Sequence, residues 1–284
     1  PVTEIEKALA SENQMLAFEP MDHRTLMGTD GTPTIGGVVA ANVSGPRRVQ
    51  AGACRDFLLG VRFVDGAGTV VKTGGRVMKN VTGYDLTKLM AGSFGTLGVL
   101  SVVSFKVLPR PDTCAVLLLT GLTVPDAVRA MSEALKSPFE VTGAAHTPEG
   151  LDGDPVTMIR LEGFEASVAY RAERVKDLLA SFGATDIERR TGDDGGYGTQ
   201  SGWRWVRDAE KFSGTGEDVW RISVKPSDAP LVTDAIKGAT LLLDWGGGLV
   251  WAGVAPETDV RTALAGIGGH ATLVRASAET KTRL

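Results

Sequence analysis

Two adjacent glycines, Gly36 and Gly37, follow Thr34-Ile35 and open the apolar segment TIGGVVAANVSG, residues 34–45. Glycine lets a backbone approach a ligand closely, and successive N–H groups at a helix start attract phosphate oxygens. Three more glycine-bearing stretches lie within the next sixty or so residues: Asn42-Val43-Ser44-Gly45, Gly74-Gly75-Arg76 and Gly92-Ser93-Phe94-Gly95-Thr96-Leu97-Gly98. Their clustering suits a surface for a diphosphate. The competing reading is that small residues only let a helix pack tightly on a sheet. None of the four has the GxxxxGK[ST] spacing of a P-loop, and none is a GxGxxG between strand and helix with a suitably placed acidic residue. Walker and Rossmann chemistry are therefore not supported.

Other reactive residues are sparse. The three histidines, His23, His146 and His270, have no HxxxH or HxH spacing for a metal pair, and His146, before Thr-Pro, reads as a loop residue. Cys54 and Cys114 lie far apart with no CxxC, so neither a disulfide framework nor structural zinc is suggested. Arg160 and Glu162 in MIRLEG fall on one face of a predicted strand; they could meet a ligand together or form an ordinary ion pair. Arg47 and Arg48, after Ser44-Gly45-Pro46, could pair with phosphate but read first as a solvent-facing pair, and they are left out of the candidate site.

The elements that must carry these groups follow from pattern. The 284 residues are 43% hydrophobic and 23% charged, an ordinary globular composition, and the net charge of −4 disfavours nucleic acid. No apolar run approaches the ~20 residues of a membrane span. The amino end has no signal-peptide character and no initiator methionine, so Pro1 reads as a cut end. Thr3 and Glu6 give a capping-box signature for a helix to about Asn13. Leu58–Val64 and Thr69–Lys72 read as strands joined through Asp65-Gly66-Ala67-Gly68, and Leu97–Leu108 as one long strand stopped by Pro109. A domain boundary is placed at 110/111. Beyond it strands alternate with helices at about 124–136 and 165–182, with Gly246-Gly247-Gly248 as a turn and no periodic repeat. Asp193–Gly202 reads as a mobile loop or a plain surface connection.

The run from Thr34 to Pro111 resembles the second FAD-binding subdomain of the vanillyl-alcohol-oxidase, or PCMH-type, flavoproteins. Within that superfamily GGRVMKNVTGYDLTKLMAGSFGTLGVL is most similar to the FAD-binding E subunit of bacterial glycolate oxidase. The resemblance implies an α+β fold: a partial FAD-binding domain over 1–110, then an α/β cap over 111–284 with an antiparallel or mixed sheet and helices. It implies that Gly36 and Gly37 bring main-chain N–H groups to the FAD diphosphate, with Thr34 among the cofactor-binding residues. Ala40, Asn42 and Gly45 would line the same wall, Arg55 and Asp56 occupy the family's RD positions, and Gly95, Gly98 and Val99 match the GTLG(I/V) segment that closes on the cofactor. Lys79, Asn80, Tyr84 and Asp85 form the most subunit-like signature, pinning a loop beneath the flavin or satisfying its backbone.

The resemblance also sets expectations about what lies outside this sequence. An R-x-GGGT phosphate loop would precede Pro1 and an FDPxxIFNPGR-like segment would follow Leu284, so these residues alone are expected to bind FAD weakly or not at all. The implied activity is oxidation of glycolate to glyoxylate in a complex. A catalytic flavoprotein subunit, whose cap carries the substrate histidines, and an iron-sulfur subunit are the implied partners, in the cytoplasm or peripheral at the inner membrane. The alternatives are a self-sufficient FAD-dependent D-2-hydroxy acid dehydrogenase and a flavin-free assembly subunit.

Overall fold

A computed structural model describes residues 1–75, 83–150, 153–191 and 200–284. The chain divides into two compact units, Pro1–Arg24 with Thr29–Arg110, and Thr25–Gly28 with Pro111–Leu284. In chain order the early elements are α1 (Val2–Ser11), β1 (Gln14–Met15), α2 (Arg24–Met27), α3 (Ile35–Ala40), α4 (Arg48–Ala51) and α5 (Cys54–Phe57). Then come β2 (Leu58–Val64), β3 (Val70–Gly74), α6 (Leu86–Met90), β4 (Val99–Phe105) and β5 (Leu108–Pro109).

In the first unit β3, β2 and β4 form an antiparallel sheet, and β1 pairs with β5. Asp65 closes the β2–β3 hairpin by accepting the N–H groups of Ala67 and Thr69 at 2.9 and 2.8 Å. Phe18 anchors the core against Phe57 and Phe105, at ring-centroid distances of 5.9 and 5.3 Å. Two local expectations need correction. Helix α1 starts at Val2 with no side-chain cap, because the buried Val2 donates its N–H to the Pro33 carbonyl at 2.9 Å and anchors the start ahead of Thr3. The long strand breaks after Phe105, where the Lys106 N–H turns to Phe57 O at 2.8 Å; Pro109 still pairs with Gln14, as an edge position allows.

The remaining elements are β6 (Thr113–Thr120), α7 (Val124–Lys136), β7 (Gly143–Thr147), β8 (Val156–Gly163), α8 (Glu165–Leu179), β9 (Thr185–Thr191) and α9 (Gln200–Arg207). They are followed by β10 (Asp218–Val224), α10 (Ala229–Ala235), β11 (Thr240–Asp244), β12 (Leu249–Val254), α11 (Val260–Ala263), β13 (Gly269–Arg275) and α12 (Ala278–Arg283). Helix α7 follows from its sequence: Thr123 caps it, Pro125 sits in its first turn, and Ala127, Val128, Ala130, Met131 and Ala134 make its buried stripe.

One antiparallel sheet of eight strands runs β13-β10-β12-β11-β7-β8-β6-β9. Its order contains a repeat that is invisible as sequence periodicity. β6-α7-β7-β8-α8-β9 and β10-α10-β11-β12-α11-β13 each trace the same βαββαβ path with the same strand order, and they join edge to edge through β7 and β11. The expectation of no repeat is thus corrected at the level of topology. The residues equivalent to helices of 13 and 15 residues in the first half are helices of only 7 and 4 in the second, which hides the duplication.

His146 lies at that seam, opposite Leu243, and is a fully buried strand residue rather than a loop residue. Its Nδ1 meets Thr157 Oγ1 at 2.9 Å, and its Nε2 has no hydrogen-bond partner. Burial, and secondarily the nearby Lys211 ammonium, push its pKa down from 6.5 to about 4. On the sheet face away from α7 and α8, Arg160 Nε lies 3.3 Å from Glu162 Oε2, with both side chains nearly inaccessible. Its guanidinium stacks 4.6 Å from the Trp203 ring of α9 and donates to Thr142 Oγ1 and O. Gly143 permits this, since a Cβ there would lie 2.9 Å from Trp203. Of the segment read as a loop, 193–199 lies outside the described residues, while 200–202 begin α9.

Two outcomes follow. Arg160→Met strands the buried Glu162 carboxylate and should cost about 3–5 kcal/mol in urea denaturation, with Glu162→Gln in the same background recovering part of it. The folded state keeps His146 neutral while the unfolded chain protonates below pH 6.5. Stability should therefore be full above 6.5 and fall as pH drops toward about 4, by up to roughly 3 kcal/mol. The difference between wild type and His146→Gln in unfolding free energy at pH 7 and pH 4.5 measures it; parallel profiles would contradict it.

Candidate functional site

The glycine-rich stretches at 34–45 and 92–98 meet at α3, whereas Gly74-Gly75 lies against β2, the Gly75 N–H donating to Leu59 O at 3.1 Å, and Arg76 lies outside the described residues. Thr34 caps α3, its Oγ1 accepting the Gly37 N–H at 3.2 Å, and the N–H groups of Ile35 and Gly36 have no intrahelical acceptor at this terminus. Val38 and Val39 point into the core, so the accessible face carries Gly36 with Ala40 and Gly37 with Ala41 at i, i+4 spacing. A surface helix ordinarily turns polar side chains outward. This one presents hydrogen and methyl groups. A Cβ at Gly36 would meet nothing within 4 Å, so internal packing does not require glycine there. Beside it lies an open cleft of about 390 Å³ lined by residues that include His23, Arg24, Thr32, Thr34, Gly37 and Ala41.

The carbonyl end of α3 receives the 92–98 glycine stretch. Gly92 donates its N–H to Val39 O at 3.0 Å and Phe94 to Ala40 O at 2.8 Å, which fixes this loop to the helix. Gly95 faces open space, whereas Gly98 has a structural reason: its Cβ would lie 2.5 Å from Val64 O and 2.9 Å from the Phe63 ring. Val99, the first residue of β4, is 72% exposed.

Several residues implied by the resemblance are present at this wall with their side chains already engaged. Asn42, in the left-handed region at φ 50°, accepts the Arg55 N–H on Oδ1 at 2.9 Å. Asp56 Oδ2 accepts the Ala53 N–H at 2.8 Å and caps α5. Gly45 is buried and donates its N–H to Phe18 O at 2.9 Å. Arg55 is exposed. Of the subunit-like signature, Lys79 and Asn80 lie outside the described residues; Tyr84 is 91% exposed, and Asp85 caps α6 by accepting the Lys88 N–H.

Arg48 is exposed as expected, but Arg47 is buried, with its N–H donated to Glu19 Oε2 at 2.9 Å. The pair is therefore split between core and solvent, because the α4 start holds Arg47 against the segment around Phe18 and Glu19. A more central residue gave no sequence signal. Lys88 Nζ donates to the carbonyls of Arg55, Asp56 and Leu58 at 2.6, 3.3 and 2.9 Å, tying α6 to the end of α5. Nothing in YDLTKLM marks this lysine, since its acceptors are main-chain atoms some thirty residues away. Cys54 is buried beside this junction, its thiol pushed up to about 12 chiefly by burial, which removes thiolate chemistry at neutral pH.

The described residues hold no group of three or more His, Cys, Asp or Glu able to bind a metal. No described helix is long and apolar enough to cross a membrane. What the wall offers is uncommitted main-chain N–H groups, a helix face stripped of side chains, and an adjoining cleft. A flat or anionic group could lie against it without displacing any packed side chain. That arrangement fits the diphosphate and ring portions of FAD.

Comparison with known proteins agrees in kind. A family model described as an FAD binding domain matches residues 1–74. Glycolate oxidase subunit GlcE of Escherichia coli (strain K12) is 37% identical over 274 residues, covering 96% of this chain and 68% of that protein. A D-lactate dehydrogenase of Archaeoglobus fulgidus is 32% identical over 174 residues, 56% of this chain and 38% of that protein. Among solved structures, an alkyldihydroxyacetonephosphate synthase superposes with a TM-score of 0.67 at 18% identity, over 94% of this chain and 58% of that one, which shows a shared fold. The chain thus spans about two thirds or less of the length of these relatives. With its extent of identity to GlcE and its α+β fold of the vanillyl-alcohol-oxidase type, the chain belongs to the glycolate oxidase GlcE subunit family of FAD-linked oxidoreductases.

Proposed function

We propose that this chain is the FAD-carrying part of a subunit in a 2-hydroxy acid dehydrogenase complex that oxidises glycolate to glyoxylate. It works beside a catalytic flavoprotein subunit and an iron-sulfur subunit, in the cytoplasm or peripheral at the inner membrane. The observation that carries the reading is the outward Gly36/Ala40 and Gly37/Ala41 face of α3 in a chain 37% identical to GlcE. FAD, when bound, supplies a two-electron acceptor for the hydroxyl-bearing carbon. The chain's own part is binding and orientation. The Ile35 and Gly36 N–H groups would face diphosphate oxygens, with Thr34 shaping the first turn. Ala40 and Gly95 would leave room for the cofactor, and Val99 would border it. Asn42, Gly45, Arg55 and Asp56 act through backbone shape, since Asn42 and Asp56 are spent on the contacts that set the wall. No catalytic base is assigned: His146 is sealed at the sheet seam and His270 is exposed on β13.

Two experiments test this. The native-length protein, purified free of its partners, should show a flavin spectrum of its own that glycolate bleaches anaerobically only once the catalytic partner is restored; a colourless protein that still completes a fully active complex would overturn the reading. Bleaching by glycolate or D-lactate without any partner would instead favour the self-sufficient dehydrogenase, a reading supported by the D-lactate dehydrogenase relative. Gly36→Leu should leave the melting temperature unchanged or raised, since leucine favours helix by about 0.8 kcal/mol over glycine and meets open space. The same substitution should weaken FAD binding at least tenfold. Unchanged FAD affinity would remove α3 from the site.

A further inference from the structure

Phe94 is held in a conformation that bulky residues avoid. Its φ is 52°, in the left-handed region, and its side chain is 75% exposed. An aromatic ring turned to solvent from an unfavourable backbone contributes nothing to the core, and glycine or asparagine would satisfy the same turn. The turn itself is rigidly placed. Phe94 N–H bonds to Ala40 O, Gly92 N–H to Val39 O, and Thr96 Oγ1 to Ser93 O at 2.6 Å. The Phe94 backbone is thereby registered against the carbonyl end of α3, the helix whose outer Gly36/Ala40 face carries no long side chain, and one residue before Gly95, whose Cβ direction is also empty.

We propose that Phe94 is an aromatic platform on which one of the two planar ring systems of FAD stacks, an assignment that rests on the flavin reading above. Stacking needs a flat apolar partner fixed beside a clear surface, and this loop supplies both. The ring sits between glycines in the GSFGTLG stretch, so a change at this one position alters the stacking surface without disturbing the glycines around it.

The test uses the native-length protein and FAD titration. Phe94→Leu should raise the Kd for FAD roughly tenfold or more, and Phe94→Tyr should leave it near wild type. Phe94→Gly relieves the backbone while removing the ring, so the flavin-free melting temperature should rise by about 2–4 °C as FAD affinity falls. Phe94→Trp adds a reporter: the five natural tryptophans all lie beyond residue 200, so emission quenched by FAD in the variant beyond the wild-type change reads proximity at position 94. Competition by ADP or by FMN, weakened in Phe94→Leu, identifies which ring is stacked. If wild type binds FAD while Phe94→Leu binds it equally well and the emission of the Phe94→Trp variant is unmoved, the platform is refuted and the flavin reading stands. If Phe94→Leu instead fails only to retain a partner subunit, Phe94 is a protein contact and the proposal is overturned. Absence of FAD binding by wild type removes both.

Discussion

The carbonyl groups that end α3 are the pivot of the first unit. Any helix leaves its last carbonyls without intrahelical donors. Here Val39 and Ala40 receive N–H groups from a loop more than fifty residues later in the chain, so two glycine-rich stretches become one surface. Both ends of this six-residue helix thus have separate duties, with free donors at the start and acceptors bound to the loop at the finish. Lys88 and the Asn42–Arg55 contact secure the same arrangement from behind. Such a wall gains its shape from main-chain bonds and so tolerates the loss of side chains on its outer face.

The second unit solves a different problem by duplication. A four-stranded βαββαβ unit leaves an open strand edge, and two of them meeting through β7 and β11 cover one edge of each. The joint is one where a titratable ring is held neutral inside a continuous sheet. On the opposite face, the Arg160–Glu162 pair under Trp203 shows the same economy, with a cation given a carboxylate, a hydroxyl, a carbonyl and an aromatic face in one buried place. Their orientation on one strand face was readable from spacing of two; their burial depends on α9, which polar composition disguised as a loop.

Local pattern carried most of what sequence could say. The β2–β3 hairpin, α7, β8 and the glycine turn between β11 and β12 all follow from cap residues, alternation or turn chemistry within a few positions. What escaped was set by distant partners: the start of α1 by Pro33, the burial of Arg47 by the segment around Glu19, the tripod of Lys88, and the placement of His146 opposite Leu243. The wall of the candidate site was legible because glycines are punctuation in any context. Phe94 was not, since nothing in its type announces a left-handed backbone, and the duplication was not, because helices of unequal length dissolve a sequence period.

Arg275 adds a consequence for how the molecule is made. Its guanidinium donates to the carbonyls of Phe212, Thr215 and Glu217, and also to Leu26, 249 positions earlier. Leu26, itself buried, belongs with Thr25–Gly28 to the second unit, so the first stretch of that unit leaves the ribosome long before its last. Contacts of such sequence separation form late. During synthesis the early tetrapeptide must wait with an unpaired carbonyl and an apolar side chain until β13 emerges, and only then can the unit close.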